Sequence, residues 1–356
     1  MIKFFKLIII NILVFILLTI LFEILLRISL TAKMCLQNDC NLKYISSIKL
    51  RNNFISKYIG ISKYDARLGY VISENFDQII NVGDWNDIRL TTDENGFRNN
   101  GKKLQRTNNS ILAVGDSYTL GEETKDNETW SSCLQDKLNI RVDNAGVFGY
   151  GTLQSLIRAK YFLNKFNYST LIFSILVDND FNRDTYSYRS GFAKPFLIKN
   201  RENISIGKVP DPYLPGTKYN PKKNAVYYLD NYLLIYNLLS TNIDFLPKGN
   251  YDSLSIKEKK IPKIDEIINW ILDQNSNLSV EKKIILLQYG KNLNSNSVKK
   301  ERDLIKKIIN KYSNLELVDT FDILSKKSQN KKKKIWTSHH TPYGNSLVCD
   351  ELSKSF

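Results

Sequence analysis

Histidine is nearly absent from this chain. Of 356 residues only His339 and His340 are histidines, and they are adjacent. Adjacent side chains point in different directions, and with no third histidine this argues against a histidine-built metal site. Cysteine is scarce as well. Cys35, Cys40, Cys133 and Cys349 show no spacing with histidine that suggests structural zinc. Cys35 and Cys40 are near enough to close a small disulfide loop in an oxidising compartment. Cys133 and Cys349 read as small buried hydrophobes. No nucleic-acid-binding motif is present, although the formal net charge is +15. The lysines are spread along the chain and read as a solvated surface, densest at Lys331 to Lys334. Such charge could attract anionic glycans, lipid head groups or nucleic acid. No internal repeat and no second long apolar run occur, and neither metal nor other cofactor is expected.

What is present begins with one apolar run. Leu7 to Leu26 consists of Ile, Leu, Val and Phe, interrupted only by Asn11, Thr19 and Glu23. About 20 helical residues at roughly 1.5 Å each span about 30 Å, the thickness of a bilayer core. Leu30-Thr31-Ala32 makes a poor cleavage site, so the length favours a retained anchor over a cleaved signal peptide. Lys3 and Lys6 favour a cytoplasmic N-terminus, but Arg27, Lys33, Lys43, Lys49 and Arg51 lie beyond the span. The expected organisation is a membrane anchor at 1–33 and an approach segment at 34–110 packing on the main domain. A globular domain follows at 111–356, with a cap insertion at about 181–260. Hydrophobic content of 42% and aromatic content of 12% are enough for a packed core in that domain.

After an irregular, partly extended segment with an Asn95-Gly96 turn, strands and helices alternate. Ile111–Val114, Ile140–Val142, Thr170–Val177, Lys283–Gln288 and Leu315–Val318 read as strands. Thr129–Leu138, Leu153–Phe166, Tyr228–Leu239, Ile264–Leu272, Val298–Tyr312 and Tyr343–Leu352 read as helices. Pro195, Pro210, Pro212, Pro215 and Pro221 mark the region that breaks the pattern. The alternation implies an α/β three-layer sandwich with a central parallel sheet.

Four blocks then fall at the carboxyl ends of strands or before a helix, where ligands collect in open α/β sheets. Gly115-Asp116-Ser117 follows the first strand. Asn144 to Gly151 follows the second, and Asn179-Asp180 the third. His339 precedes the last helix, with Thr341, Pro342 and Gly344 behind it. In these blocks the sequence resembles the SGNH, or GDSL-like, hydrolase superfamily, over about Ile111 to Phe356. Ser117, Gly149, Asn179 and His339 match its four signature residues. The Asn95-Gly96-Phe97-Arg98 turn and the single N-terminal span resemble its membrane-anchored bacterial branch, which includes esterases and cell-envelope polysaccharide O-acetyltransferases.

The resemblance implies a flavodoxin-like fold preceded by one transmembrane helix. It implies a Ser117 nucleophile activated by His339, and an oxyanion hole of the Ser117 N–H, the Gly149 N–H and the Asn179 amide. Asp116 and Asp180 would support the loops. Two positions depart from the family pattern. Val177 stands where a glycine is usual, and Trp336 and Thr337 stand where an aspartate is usual. His339 then needs another orienter: a backbone carbonyl near Trp336, or Asp319 or Asp322. The expected function is ester hydrolysis or O-acyl transfer, acting on O-acyl, most plausibly O-acetyl, groups of an envelope glycan. The alternative is a degenerate domain that binds glycan or serves assembly, and a lipid esterase is a third option. The expected place is the bacterial cytoplasmic membrane, with the catalytic domain on its periplasmic side. The partners would be an acylated substrate and the membrane, with no nucleic acid.

Overall fold

The computed structural model describes residues 2–36, 61–65, 67–82, 85–186, 188–189, 192–201, 203–207, 233, 235, 261–329 and 333–356. The chain divides into two units, residues 1–59 with 214–251, and 60–213 with 252–356.

The first unit contains helix α1, Ile2–Leu36. Its stretch Phe4–Ser29 has a mean hydropathy of 2.9 and is long and apolar enough to cross a membrane, a property that a signal sequence shares. Glu23 pairs with Arg27 one turn later at 2.7 Å and accepts the Ile235 N–H at 2.9 Å. The helix expected at 228–239 lies outside the described residues apart from 233 and 235, as does Cys40.

The second unit opens with two antiparallel hairpins, β1 (Ser62–Asp65) with β2 (Gly69–Ile72), and β3 (Asp77–Val82) with β4 (Trp85–Thr91). The expected irregular segment is therefore partly ordered sheet. Its strands are short, and a register shift between Ile80 and Val82 breaks the alternation that would have announced them. The Asn95-Gly96 turn is held by Asp93, whose carboxylate accepts the N–H groups of Asn95 and Phe97.

The alternating part follows in chain order as β5 (Ile111–Val114), α2 (Ser117–Leu120), α3 (Trp130–Leu138), β6 (Val142–Asn144), α4 (Thr152–Lys165), β7 (Thr170–Leu176) and α5 (Asp180–Arg183). Two hairpins occupy the described part of the expected cap: β8 (Tyr188–Arg189) with β9 (Phe192–Ala193), and β10 (Leu197–Asn200) with β11 (Asn203–Ile206). Then come α6 (Ile264–Ser276), β12 (Lys282–Gln288), α7 (Asn296–Ile309), β13 (Glu316–Asp319), α8 (Phe321–Ser328) and α9 (Pro342–Leu352). β6 starts two residues later than the sequence suggests, and α8 was not foreseen.

Five of these strands form one parallel sheet in the order β13-β12-β7-β5-β6. The reason is visible in the strands themselves. Leu112, Val114, Leu171, Phe173, Ile175, Ile285 and Leu287 are buried against α4, α6 and α7. The alternate residues Ile111, Ala113, Ile172, Ile284, Leu286 and Val318 are buried against α3 and α9. Strands apolar on both faces need helices on both faces. Truncating a central residue such as Leu286 to alanine would cost about 2–5 kcal/mol. The strand order reverses between β5 and β7, the switch point at which such sheets place their sites.

One reading is corrected here. Cys133 on α3 and Cys349 on α9 are not free hydrophobes but a disulfide, with a Cα–Cα distance of 6.1 Å. They are 216 residues apart in sequence, so spacing could not announce the pair. Only the packing of the two helices on one sheet face brings them together.

Candidate active site

Ser117 begins α2 at the end of β5, with Asp116 as the cap whose Oδ1 accepts the Tyr118 N–H at 2.9 Å. The second block is pinned to the same place. Ala145 N–H donates to Ala113 O and Val147 N–H to Gly115 O. The Asn144 amide donates to Thr119 O at 2.8 Å. Gly146 is required by close approach, because a Cβ there would lie 2.3 Å from the Leu120 nitrogen. Gly149 has φ +69, a conformation that glycine adopts without steric cost.

The third block continues β7. Val177 N–H donates to Gln288 O, and its φ is not positive, so this position needs no glycine. The turn falls one residue later, at Asp178, with φ +65. Asn179 caps α5 without a side-chain capping bond. Asp180 Oδ2 accepts the Leu176 N–H at 2.8 Å.

The histidine loop is folded tightly before α9. Thr341 caps that helix by accepting the Gly344 N–H. Trp336 Nε1–H and His340 Nε2 both meet Tyr289 O, at 2.8 and 3.1 Å. Burial pushes His340 down to about 3, so it stays neutral. Tyr118 packs its ring 5.0 Å from the His339 ring and 4.8 Å from the His340 ring, and its hydroxyl donates to Ser338 O.

This arrangement places His339 Nε2 3.0 Å from Ser117 Oγ. On the other side, His339 Nδ1 lies 3.0 Å from the carboxylate of Glu123. None of the orienters expected from the sequence occupies that place. Asp319 is engaged by Tyr289 and Arg302, Asp322 is exposed and faces Arg302, and among the described residues the His339 ring hydrogen-bonds only side-chain atoms, those of Ser338, Glu123 and Ser117. Glu123 comes instead from the loop after α2, six positions beyond the serine. It also accepts from Thr337 Oγ1 at 2.5 Å and from the Ser338 hydroxyl. Its φ of +67 costs about 1–2 kcal/mol for a residue with a Cβ, a cost that the bonds to the histidine loop offset. Glu122, almost fully buried, places Oε2 3.7 Å from His339 Nε2.

The electrostatics follow. Burial would raise Glu123, but bonds from His339, Ser338 and Thr337 hold its carboxyl well below the usual range. Burial would lower His339, but Glu122, Glu123 and Asp116 outweigh it and raise its pKa above 6.5. A histidine bonded to a carboxylate at Nδ1 keeps its proton there and offers the Nε2 lone pair to the serine hydroxyl.

No family model and no curated protein matches this chain. Among solved structures, it is similar to a lipolytic protein of the G-D-S-L family from Veillonella parvula, at 11% identity and TM-score 0.41, over 69% of this chain and 97% of that chain. It is similar to a putative lipolytic protein of that family from Desulfitobacterium hafniense, at 12% and 0.39, over 69% and 99%. It is also similar to an acetyl xylan esterase from Geobacillus stearothermophilus, at 13% and 0.39, over 69% and 93%.

Proposed function

We propose that this chain is a serine-dependent ester hydrolase or O-acyltransferase of the SGNH type. The observation that carries the reading is the relay of two 3.0 Å contacts from Ser117 Oγ through His339 to Glu123. Ser117 attacks the ester carbonyl while His339 Nε2 takes its proton. Glu123 holds the imidazole in the needed tautomer and stabilises the imidazolium. The Ser117 N–H, the Gly149 N–H and the Asn179 amide receive the developing oxyanion; each such donor typically contributes about 10²–10³ in rate. His339 then returns its proton to the leaving alcohol, and an acyl-serine remains. Water as acceptor gives an esterase, and a sugar hydroxyl gives a transferase. The substrate proposed is an O-acetyl group of an envelope glycan, on the strength of the motif resemblance and the apolar helix. The Cys133–Cys349 disulfide supports an oxidising compartment for the domain, hence the periplasmic side of the cytoplasmic membrane. The degenerate-binder reading rested on a missing carboxylate, and Glu123 standing beside His339 favours the enzyme.

The test is intact mass of the full chain in detergent after exposure to a fluorophosphonate. A single adduct on the wild type, absent from Ser117→Ala and His339→Ala, is expected. No adduct on folded wild type would turn the assignment toward a binding role.

A further inference from the structure

Beside Ser117 lies a second cluster, which the serine hydroxyl meets at one point: Ser117 Oγ is 3.4 Å from Asp116 Oδ2. Arg183, at the end of α5, is 6% exposed. One of its nitrogens, Nη1, meets three acceptors: Asp116 Oδ2 at 3.1 Å, Tyr150 O at 2.7 Å and Asp180 Oδ1 at 2.8 Å. Each acceptor is the chain neighbour of a proposed oxyanion donor. Asp116 precedes Ser117, Tyr150 follows Gly149, and Asp180 follows Asn179. These three segments come from three different strand ends and share this one nitrogen.

We propose that Arg183 is the positioning residue of the oxyanion hole, holding its three donor segments in register. This rests on the functional reading above. Two arguments support it. The first is geometric. An oxyanion hole works only if its donors are fixed before charge develops, and Arg183 is bonded to all three segments that carry them. The arginine is itself anchored, since the Lys194 ammonium donates to Arg183 O at 2.8 Å and the Asp184 carboxylate accepts the Leu153 N–H of α4 at 3.0 Å. The second is electrostatic. Asp116 and Asp180 are two buried carboxylates next to the place where the reaction builds negative charge. Burial and the charge of Asp116 push Asp180 upward, and Arg183 is the cation that opposes this. With Arg183 in place the carboxylates hold the loops without repelling the oxyanion.

The experiment compares wild type, Arg183→Met and Arg183→Lys as full chains in detergent, with p-nitrophenyl acetate as substrate and an alkylboronic acid as tetrahedral mimic. Arg183→Met is expected to lose about 10²-fold in kcat, on the scale of a lost oxyanion donor, with KM within about twofold. Its boronate affinity should fall in parallel with kcat. Arg183→Lys keeps the charge and a single nitrogen, and should recover about tenfold of that loss. A residue that merely stabilised the fold would lower the melting temperature and leave the kcat of the folded protein unchanged. Wild-type kcat in folded Arg183→Met overturns the proposal while leaving the relay intact. Should that variant fail to fold, Arg183→Lys decides alone: unchanged kcat, or a rise in KM instead, overturns it. A wild type that takes no fluorophosphonate at Ser117 removes the functional reading, and the proposal with it.

Discussion

Two charge clusters flank Ser117, and they differ in what they can do. Below it, Asp116, Asp180 and Arg183 form a buried set whose cation is an arginine. Arginine does not release its proton at any ordinary pH, so the cation of this set is permanent, while burial and Asp116 push Asp180 upward. Above it, Glu122 and Glu123 face His339, and histidine titrates in the physiological range. In the proposed mechanism the first set holds geometry and the second moves a proton. The difference teaches that carboxylates of one type take opposite roles according to the cation beside them.

The sharpest way to break this comparison is Glu123→Gln. The amide cannot hold the imidazole in the same tautomer or stabilise its cation. Loss of the corresponding aspartate costs about 10⁴ in rate in the Ser-His-Asp case, so a fall of about 10³–10⁴ in kcat is expected. Asp319→Asn and Asp322→Asn, the carboxylates that the sequence put forward, should stay near wild type. Steady-state ester hydrolysis by the three variants checks this; near-wild-type activity in Glu123→Gln would leave the relay without its carboxylate.

The second effect falls on the scaffold. The disulfide joins the helix after the serine block to the helix after the histidine loop. In the chain-entropy model, closing so long a loop stabilises by about 5 kcal/mol, and measured values run about 2–5. Cys133→Ser should lose a comparable amount in urea unfolding, and reduction of the wild type should lose the same. Reduction of Cys133→Ser should then change little. Equal stability of reduced and oxidised wild type would contradict the pairing.

These two predictions also mark what the sequence could and could not reveal. The meeting of Ser117 and His339 at 3.0 Å was legible because each sits just past a strand or before a helix, where short motifs and hydrophobic runs fix the position; the oxyanion roles of Gly149 and Asn179 stay part of the proposal. The doubly wound sheet was legible for the same reason: β7 and β12 are apolar on both faces. Glu123 was hidden because it reaches His339 only through a left-handed turn at a residue with no glycine to announce it. The cysteine pair and two of the three Arg183 partners, Asp116 and Tyr150, were hidden because they come from distant segments. Val177 looked like a defect, yet the strained turn had simply moved to Asp178, where aspartate tolerates it.

A smaller effect tests the loop that carries Asn179. Glu301 on α7 accepts the Asp178 N–H at 2.7 Å, and burial raises it to about 7. A carboxyl that binds its proton more tightly when folded destabilises the fold as it ionises. Stability should therefore fall as pH rises from about 4.5 to about 7, by about 3 kcal/mol from this group at 1.36 kcal/mol per unit, and level off above. Glu301→Gln removes the carboxyl that titrates. The difference between wild-type and variant urea midpoints across pH 5 to 8 isolates it from Asp184 and His339. A constant difference would sink the argument.

The smallest effect bears most directly on the contrast between the clusters. His339 is faced by Glu122, Glu123 and Asp116 and by the neutral rings of Tyr118 and His340. The anions outweigh burial, so the acid limb of kcat/KM should lie above 6.5, because His339 must be unprotonated to act as base. Glu122→Gln removes the carboxylate nearest Nε2, and the limb should move down by about one pH unit. The linked stability change has a fixed sign. A histidine whose pKa is raised in the folded state contributes stability that is complete below about 6.5 and is lost as pH rises through the folded value. Glu122→Gln should shrink that loss. Arg183→Lys, which keeps the lower cluster cationic, should lower kcat without moving the limb. If the limb moves with Arg183→Lys and stays fixed with Glu122→Gln, the two clusters have exchanged roles and the division drawn between them is wrong.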